Sequence, residues 1–184
     1  MMTKGLRTKD FKLGCLHGRL QAIDPKSEAH IQRNIFLSQR IKVRRKRTLT
    51  PIIRIFGYEI PIENHKRGRC IDLMGYDKNH DLFIIELKRR DATEKIKKVI
   101  EQINNYADSV QQILPDIEKE FKEVFFFPIK FASIKKMIIA PREFYKGKEH
   151  LLTDKAIDFG YFRDKDICKR EPRDLVQVNL KVKR

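Results

Sequence analysis

Asp72, Glu86 and Lys88 are the residues of this chain whose types and spacing could do chemistry together. They lie in two stretches rich in apolar residues, 69–76 and 82–89, separated by Asp77-Lys78-Asn79-His80-Asp81. The polar segment reads as a turn and the flanking stretches as the two strands of an antiparallel hairpin. With the turn centred on Asn79, residues equidistant from it face one another. Asp72 and Glu86 are then direct cross-strand neighbours, their Cβ atoms roughly 4.5–5.5 Å apart. Side chains alternate along a strand, so Lys88 shares the face of Glu86, one step further on. The opposite face carries Ile71, Leu73, Phe83, Ile85 and Leu87, while Met74, Tyr76, Leu82 and Ile84 continue the acids' own face toward the turn. Both faces are thus largely apolar, and the two acids and the lysine gather at one end of a buried sheet.

Two carboxylates held opposite each other repel, and partial burial sharpens the repulsion. A divalent cation removes that penalty. Hard oxygen ligands with room for water suit Mg²⁺, with Mn²⁺ able to substitute. Such an ion lowers the pKa of a coordinated water and withdraws charge from a phosphoryl oxygen. Lys88 adds a fixed positive charge where a phosphoryl transition state accumulates negative charge. The bland alternative is that Asp72 and Glu86 each pair with one of the many surface cations. The Glu-x-Lys pattern alone does not decide, since Glu120-Phe121-Lys122 repeats it in a segment read as helix. What sets the first copy apart is the apolar strand before it and the acid across from it.

The elements that must position these residues are legible along the chain. Asp24-Pro25 reads as an N-cap followed by proline in the first helical turn. The helix it opens turns Ile31, Ile35 and Leu37 inward, with Glu28 on the side of Ile31 and Ile35, and ends near Arg40. Residues 51–62 read as a strand with a bend at Gly57. In residues 92–114, Ile96, Val99, Ile100, Ile103, Ala107, Val110 and Leu114 recur at three-and-four spacing, an amphipathic helix. Pro115 is expected to start a second, short helix running to Val124. Strands follow at 134–140, 156–162 and 175–182. The order helix, three strands, helix, strand predicts an α/β (α+β) layer fold. Residues 1–22 read as an N-terminal extension, 23–145 as the core and 146–184 as a C-terminal extension packed on the same domain.

Composition limits the function classes. The 184 residues carry 41 Lys and Arg against 25 Asp and Glu, a formal charge of +16. With 41% hydrophobic residues the chain can bury a core. The pI near 9.9 points to a polyanionic partner, nucleic acid first. Cys15, Cys70 and Cys168 are too scattered for a disulfide scaffold or a structural zinc site. No apolar run approaches the ~18 residues of a membrane span, and no apolar stretch follows the N-terminal charges. A cytoplasmic protein without a membrane partner is the expectation. The five histidines show no ligand spacing, and no Gly-rich phosphate loop is present.

Asp72 followed by Glu86-Leu87-Lys88 at the end of the next strand resembles the PD-(D/E)XK nuclease pattern. Gln102-Ile103-Asn104-Asn105-Tyr106 in the following helix is similar to the Gln-x-x-x-Tyr motif of its RecB-like branch. The stretches around Asp72 and Glu86 look most like NucS-type endonucleases, and Ile71 stands where many members carry proline. The resemblance spans about residues 24–141. It implies a restriction-endonuclease-like core with a central mixed sheet flanked by helices. It implies Asp72, Glu86 and the Leu87 carbonyl as ligands of Mg²⁺, and Lys88 as the residue that orients or deprotonates water or stabilises the phosphorane. It implies Glu28 as an accessory acid, Gln102 as a contact to the site, and Tyr106 as its packing or phosphate partner.

Arg40, Lys42, Arg44, Arg45, Lys46 and Arg47 form the densest basic run, joined near the hairpin by Arg69, Arg89 and Arg90. Neutralising phosphates releases counterions, so these positions predict salt-sensitive binding of nucleic acid, DNA ahead of RNA. A solubilising loop is the bland reading of the Arg40 run. The expectation is therefore a metal-dependent DNA endonuclease, with a homodimer meeting the need of duplex cleavage for two sites. Its rivals are an inactive nucleic-acid-binding module and a basic adaptor protein.

Overall fold

The computed structural model describes residues 27–44, 52–62, 70–162 and 176–180. Seven strands form one sheet, β1 (Arg40–Arg44), β2 (Ile52–Pro61), β3 (Cys70–Tyr76), β4 (Asp81–Leu87), β5 (Ser133–Pro141), β6 (Ile157–Phe162) and β7 (Val176–Leu180). Two α-helices accompany them, α1 (Glu28–Ser38) and α2 (Ile96–Phe125), with short 3-10 turns at Arg142–Tyr145 and Glu149–Leu151. No helix among the described residues is long and apolar enough to cross a membrane.

The hairpin register expected from the turn is the one observed. Leu73 pairs with Ile85, Met74 with Ile84, Gly75 with Phe83 and Tyr76 with Leu82. Asp77 organises the turn, its Oδ1 accepting from the amides of Asn79 at 2.9 Å and Asp81 at 3.1 Å. His80 takes the left-handed conformation that such a reversal needs (φ 60°).

The larger architecture corrects the expectation. An open mixed sheet of restriction-endonuclease type, flanked by helices, is not what forms. Pairing is mixed, but β7 runs parallel to β1 and the strands close into a barrel in sequence order. Its interior is filled by Ile41, Ile53, Leu73, Ile85, Met137, Phe162 and Val178, one from each strand. Ile31, Ile35 and Phe36 of α1 join that cluster, so α1 caps the interior rather than lying on a sheet face, while Leu37, expected inward, is exposed. The outer wall of β2 to β6 packs under Val99, Ile103, Val110, Ile117 and Phe121 of α2.

The closure has a local cause. Arg40 to Arg44 alternates exposed and buried, with Ile41 and Val43 inside and Arg40, Lys42 and Arg44 outside. A stretch that reads as a basic loop by charge is a strand by period, and it offers β7 an edge to pair with. Segment 146–184 therefore supplies two wall strands, β6 and β7. Arg45, Lys46, Arg47 and Arg69, and the N-terminal extension 1–22, lie outside the described residues.

Two helix boundaries also differ from the sequence reading. Ser27, not Asp24, caps α1, its side chain accepting from the amide of His30 at 3.2 Å. Pro115 does not start a new helix but sits within the thirty residues of α2. An interior proline costs about 3 kcal/mol. Ile117 and Phe121 extend the buried stripe past it, each contributing roughly 1.5–3 kcal/mol on burial. Packing on the barrel outweighs the break. Phe126 and Phe127 are exposed where α2 ends.

Gly75 tests how tightly β2 and β3 are joined. A Cβ there would sit 2.7 Å from the Arg54 carbonyl oxygen and 2.7 Å from Ile53 Cγ2. Backbone cannot retreat as a side-chain tip can, so Gly75→Ala should cost roughly 1–3 kcal/mol. Urea unfolding checks this; an unchanged midpoint would show that the two strands yield.

Candidate active site

The site forms where the strand pattern breaks. Tyr58 pairs with Leu73 and Ile60 with Ile71, and Glu59 and Asp72 lie between these pairs. Tyr58 and Leu73 point into the barrel, whereas Ile60 and Ile71 belong to the outer cluster. Strict alternation would keep each strand's two residues on one face, so both strands switch sides at Glu59 and Asp72. Glu59 adopts φ 46°, a left-handed conformation uncommon outside glycine and asparagine. The β3–β4 ladder also stops one pair short of Asp72. A side chain takes over there. Asp72 Oδ2 accepts from the Leu87 amide at 2.6 Å, in place of a backbone carbonyl.

Asp72, Glu86, Lys88, Glu28 and Gln102 are gathered around this break. Lys88 Nζ lies 2.8 Å from Glu86 Oε1, 3.0 Å from Glu94 Oε2 and 4.0 Å from Glu28 Oε1. Gln102 donates through Nε2 to Glu86 Oε1 at 2.9 Å and to the Tyr106 hydroxyl at 3.0 Å. Glu28 reaches back from α1 to accept from the Arg89 amide at 3.2 Å. Glu86 and Lys88 are nearly inaccessible, at 2% and 6% exposure.

Electrostatics follow from that burial. Desolvation pushes the Glu86 carboxyl up to about 7, with Lys88 pulling it down and Glu28 and Glu94 adding to the rise. Asp72 is raised well above the usual carboxylate range by burial and by the Glu86 charge, against the Leu87 hydrogen bond and Lys88. Burial disfavours the Lys88 ammonium, but the attraction of Glu86, Glu28 and Asp72 wins and its pKa rises. Tyr58 is pushed up to about 12 by burial, then by Glu59 and Asp72, with Arg33 opposing.

The donor set fits a hard divalent cation. Glu86 Oε2 is buried without a hydrogen-bond partner among the described residues, a costly state for a carboxylate oxygen. Lys88 N donates to the Ile139 carbonyl at 2.9 Å, so the strand directs alternate backbone groups to β5. Leu87, one residue earlier, turns its N–H to Asp72, and the N–H and C=O of one strand residue point the same way. The Leu87 carbonyl thus faces the acids. Among the described residues no three His, Cys, Asp or Glu side chains form a ready cage. Mg²⁺ does not require one, because it retains several waters and is held by one or two carboxylates plus phosphate oxygens.

Other predicted residues lie elsewhere. Tyr106 is buried in the outer core at 1% exposure, so it braces Gln102 and presents no surface to a phosphate. Arg40, Lys42 and Arg44 are exposed on β1, two strands away from β3 round the wall. Arg89 and Arg90 are exposed just past β4, with Arg89 paired to Asp91 at 3.2 Å. The sequence reading missed Gln32, whose Nε2 donates to Asp72 Oδ1 at 2.7 Å, and Glu94. Gln32 was findable, since it lies four residues beyond Glu28 on the same helix face. Glu94 carried no signal, being one more acid in a charged turn.

A scan of protein-family models and searches of the curated proteins and the solved structures find no match to this chain.

Proposed function

We propose that this protein is a Mg²⁺-dependent phosphodiesterase acting on DNA, most simply an endonuclease of the PD-(D/E)XK chemical type carried on a closed barrel. One observation carries the reading. A half-buried and a buried carboxylate, a lysine and a glutamine, carried by β3, the end of β4 and α2, converge beside Asp72, where the β3–β4 ladder stops. Natural proteins retain such like-charge clusters where a ligand repays them.

Asp72, Glu86 and the Leu87 carbonyl would hold the cation. A bound Mg²⁺ supplies charge withdrawal from a phosphoryl oxygen and a more acidic water. Lys88, kept protonated by three acids, places a positive charge beside the reacting phosphate and stabilises negative charge building on it. Gln102 fixes Glu86 Oε1, which leaves Oε2 to the ion. The exposed cations of β1 and Arg90 would engage the DNA backbone without reading sequence.

The test uses supercoiled plasmid and labelled single-stranded, duplex and branched DNA with Mg²⁺, Mn²⁺ or EDTA. Metal-dependent cutting, lowered on the order of 10²-fold by Lys88→Met, is the expected result. Salt-sensitive binding of every substrate without cutting would replace the enzyme by a binding module.

A further inference from the structure

We infer that Gln32 is a positioning residue for Asp72, fixing the orientation in which that carboxylate meets a divalent cation; the inference rests on the phosphodiesterase reading. Gln32 is 6% exposed, on a helix whose other buried positions include Ile31, Ile35 and Phe36 of the interior core. An amide buried among such neighbours is costly unless it is bonded. Its Nε2 donates to Asp72 Oδ1 at 2.7 Å, while the Leu87 amide donates to Oδ2 at 2.6 Å. Each oxygen of Asp72 therefore has its own donor, one from a helix and one from the neighbouring strand, and the carboxylate plane is fixed.

The arrangement has a counterpart across the site. Gln102 of α2 donates to Glu86 Oε1 as Gln32 of α1 donates to Asp72 Oδ1. Each acid thus receives one neutral amide from a different helix. Neutrality is the useful property. An amide orients a carboxylate without adding to the positive charge that Lys88 already brings to Glu86, whereas a further lysine or arginine at Asp72 would compete with the cation. An apolar side chain would leave two repelling carboxylates free to rotate apart. Glu28, one helical turn before Gln32, accepts from the Arg89 amide beyond the end of β4. One face of α1 so holds both strand ends, and Ile31 and Ile35 anchor that helix in the barrel.

Partners of this kind, one step removed from a metal, typically tune affinity or activity by 10–100-fold. The test compares wild type with Gln32→Met, which keeps volume and loses the donor. Gln32→Asn, which keeps the amide but withdraws it by one methylene, serves as the second variant should the first not fold. Mn²⁺ binding is read by electron paramagnetic resonance without DNA, alongside the Mg²⁺ dependence of cleavage. DNA affinity and the thermal midpoint are both measured in EDTA. Expected are an Mn²⁺ dissociation constant and a Mg²⁺ activation constant raised roughly tenfold. DNA affinity should be unchanged, and the rate at saturating Mg²⁺ restored to within a few-fold of wild type. Unchanged Mn²⁺ affinity in either variant would overturn the inference and leave Gln32 a packing residue. If wild type itself bound no Mn²⁺, the phosphodiesterase reading would fall first and take this inference with it.

Discussion

Replacing Asp72 by asparagine should lower Mg²⁺-dependent cleavage on the order of 10³-fold, the loss of several kcal/mol of transition-state stabilisation. The same change should leave the metal-free protein as stable as wild type, or more stable. The two effects have one origin. Asp72 is an acid whose ionised form is disfavoured by burial and by Glu86, so its charge is a liability whenever no cation offsets it. Asparagine keeps the shape, and its carbonyl can still accept from the Leu87 amide. Gln32 can rotate its amide to present oxygen to the new NH₂ group, so neither hydrogen bond need be lost. Cleavage rates in Mg²⁺ and thermal midpoints in EDTA check the pair. Near-normal cutting by Asp72→Asn would remove Asp72 from the machinery. A large fall in the EDTA midpoint would mean that its charge serves the fold.

The second large effect is on stability against pH. Glu86 is raised by burial to about 7 from an ordinary value near 4.5. A carboxyl whose folded pKa is raised binds its proton more tightly folded than unfolded, so its contribution is fully present below pH ~4.5 and is lost as pH rises through about 7. Asp72 shifts in the same direction. Lys88 is raised from 10.5, so its contribution is present throughout this window and is lost only at higher pH. Metal-free protein should therefore gain on the order of a few kcal/mol between pH 8 and pH 5. Glu86→Gln, which can still accept from Lys88 and Gln102, should flatten much of that slope. Mg²⁺ should act the other way, because it binds the ionised acids and stabilises most at high pH. Urea unfolding across the window measures all three, in EDTA for the first two and in excess Mg²⁺ for the third, and an EDTA midpoint that falls steadily on acidification would contradict the assignment.

Much of the site was readable because hairpin geometry is local. A five-residue polar turn symmetric about Asn79 sets the register, which holds from Tyr76 and Leu82 to Leu73 and Ile85 and ends one pair short of the expected pairing of Asp72 with Glu86. The resemblance singled out Gln102 and Tyr106, and their helical spacing of four lets one side chain bond the other. Tyr106 shows the limit of that reasoning, since spacing places a residue on a helix flank but does not say what packs against the flank. The left-handed Glu59 was invisible, because no residue type there announces it.

The sequence by itself determined the hairpin, its register, the two acids and the lysine at its end, and the amphipathic helix that follows. Each depends on residues close in the chain, where alternation, helical period and turn chemistry act directly. Only the tertiary structure decided that the sheet closes, that α1 caps the interior, and that α2 runs on through Pro115. Those outcomes depend on residues far apart, on Val178 meeting Val43 and on the barrel wall rewarding Ile117 and Phe121. Five residues dominated by arginine and lysine can be a loop or a strand with equal local justice. A partner strand more than 130 residues later in the sequence makes them a strand.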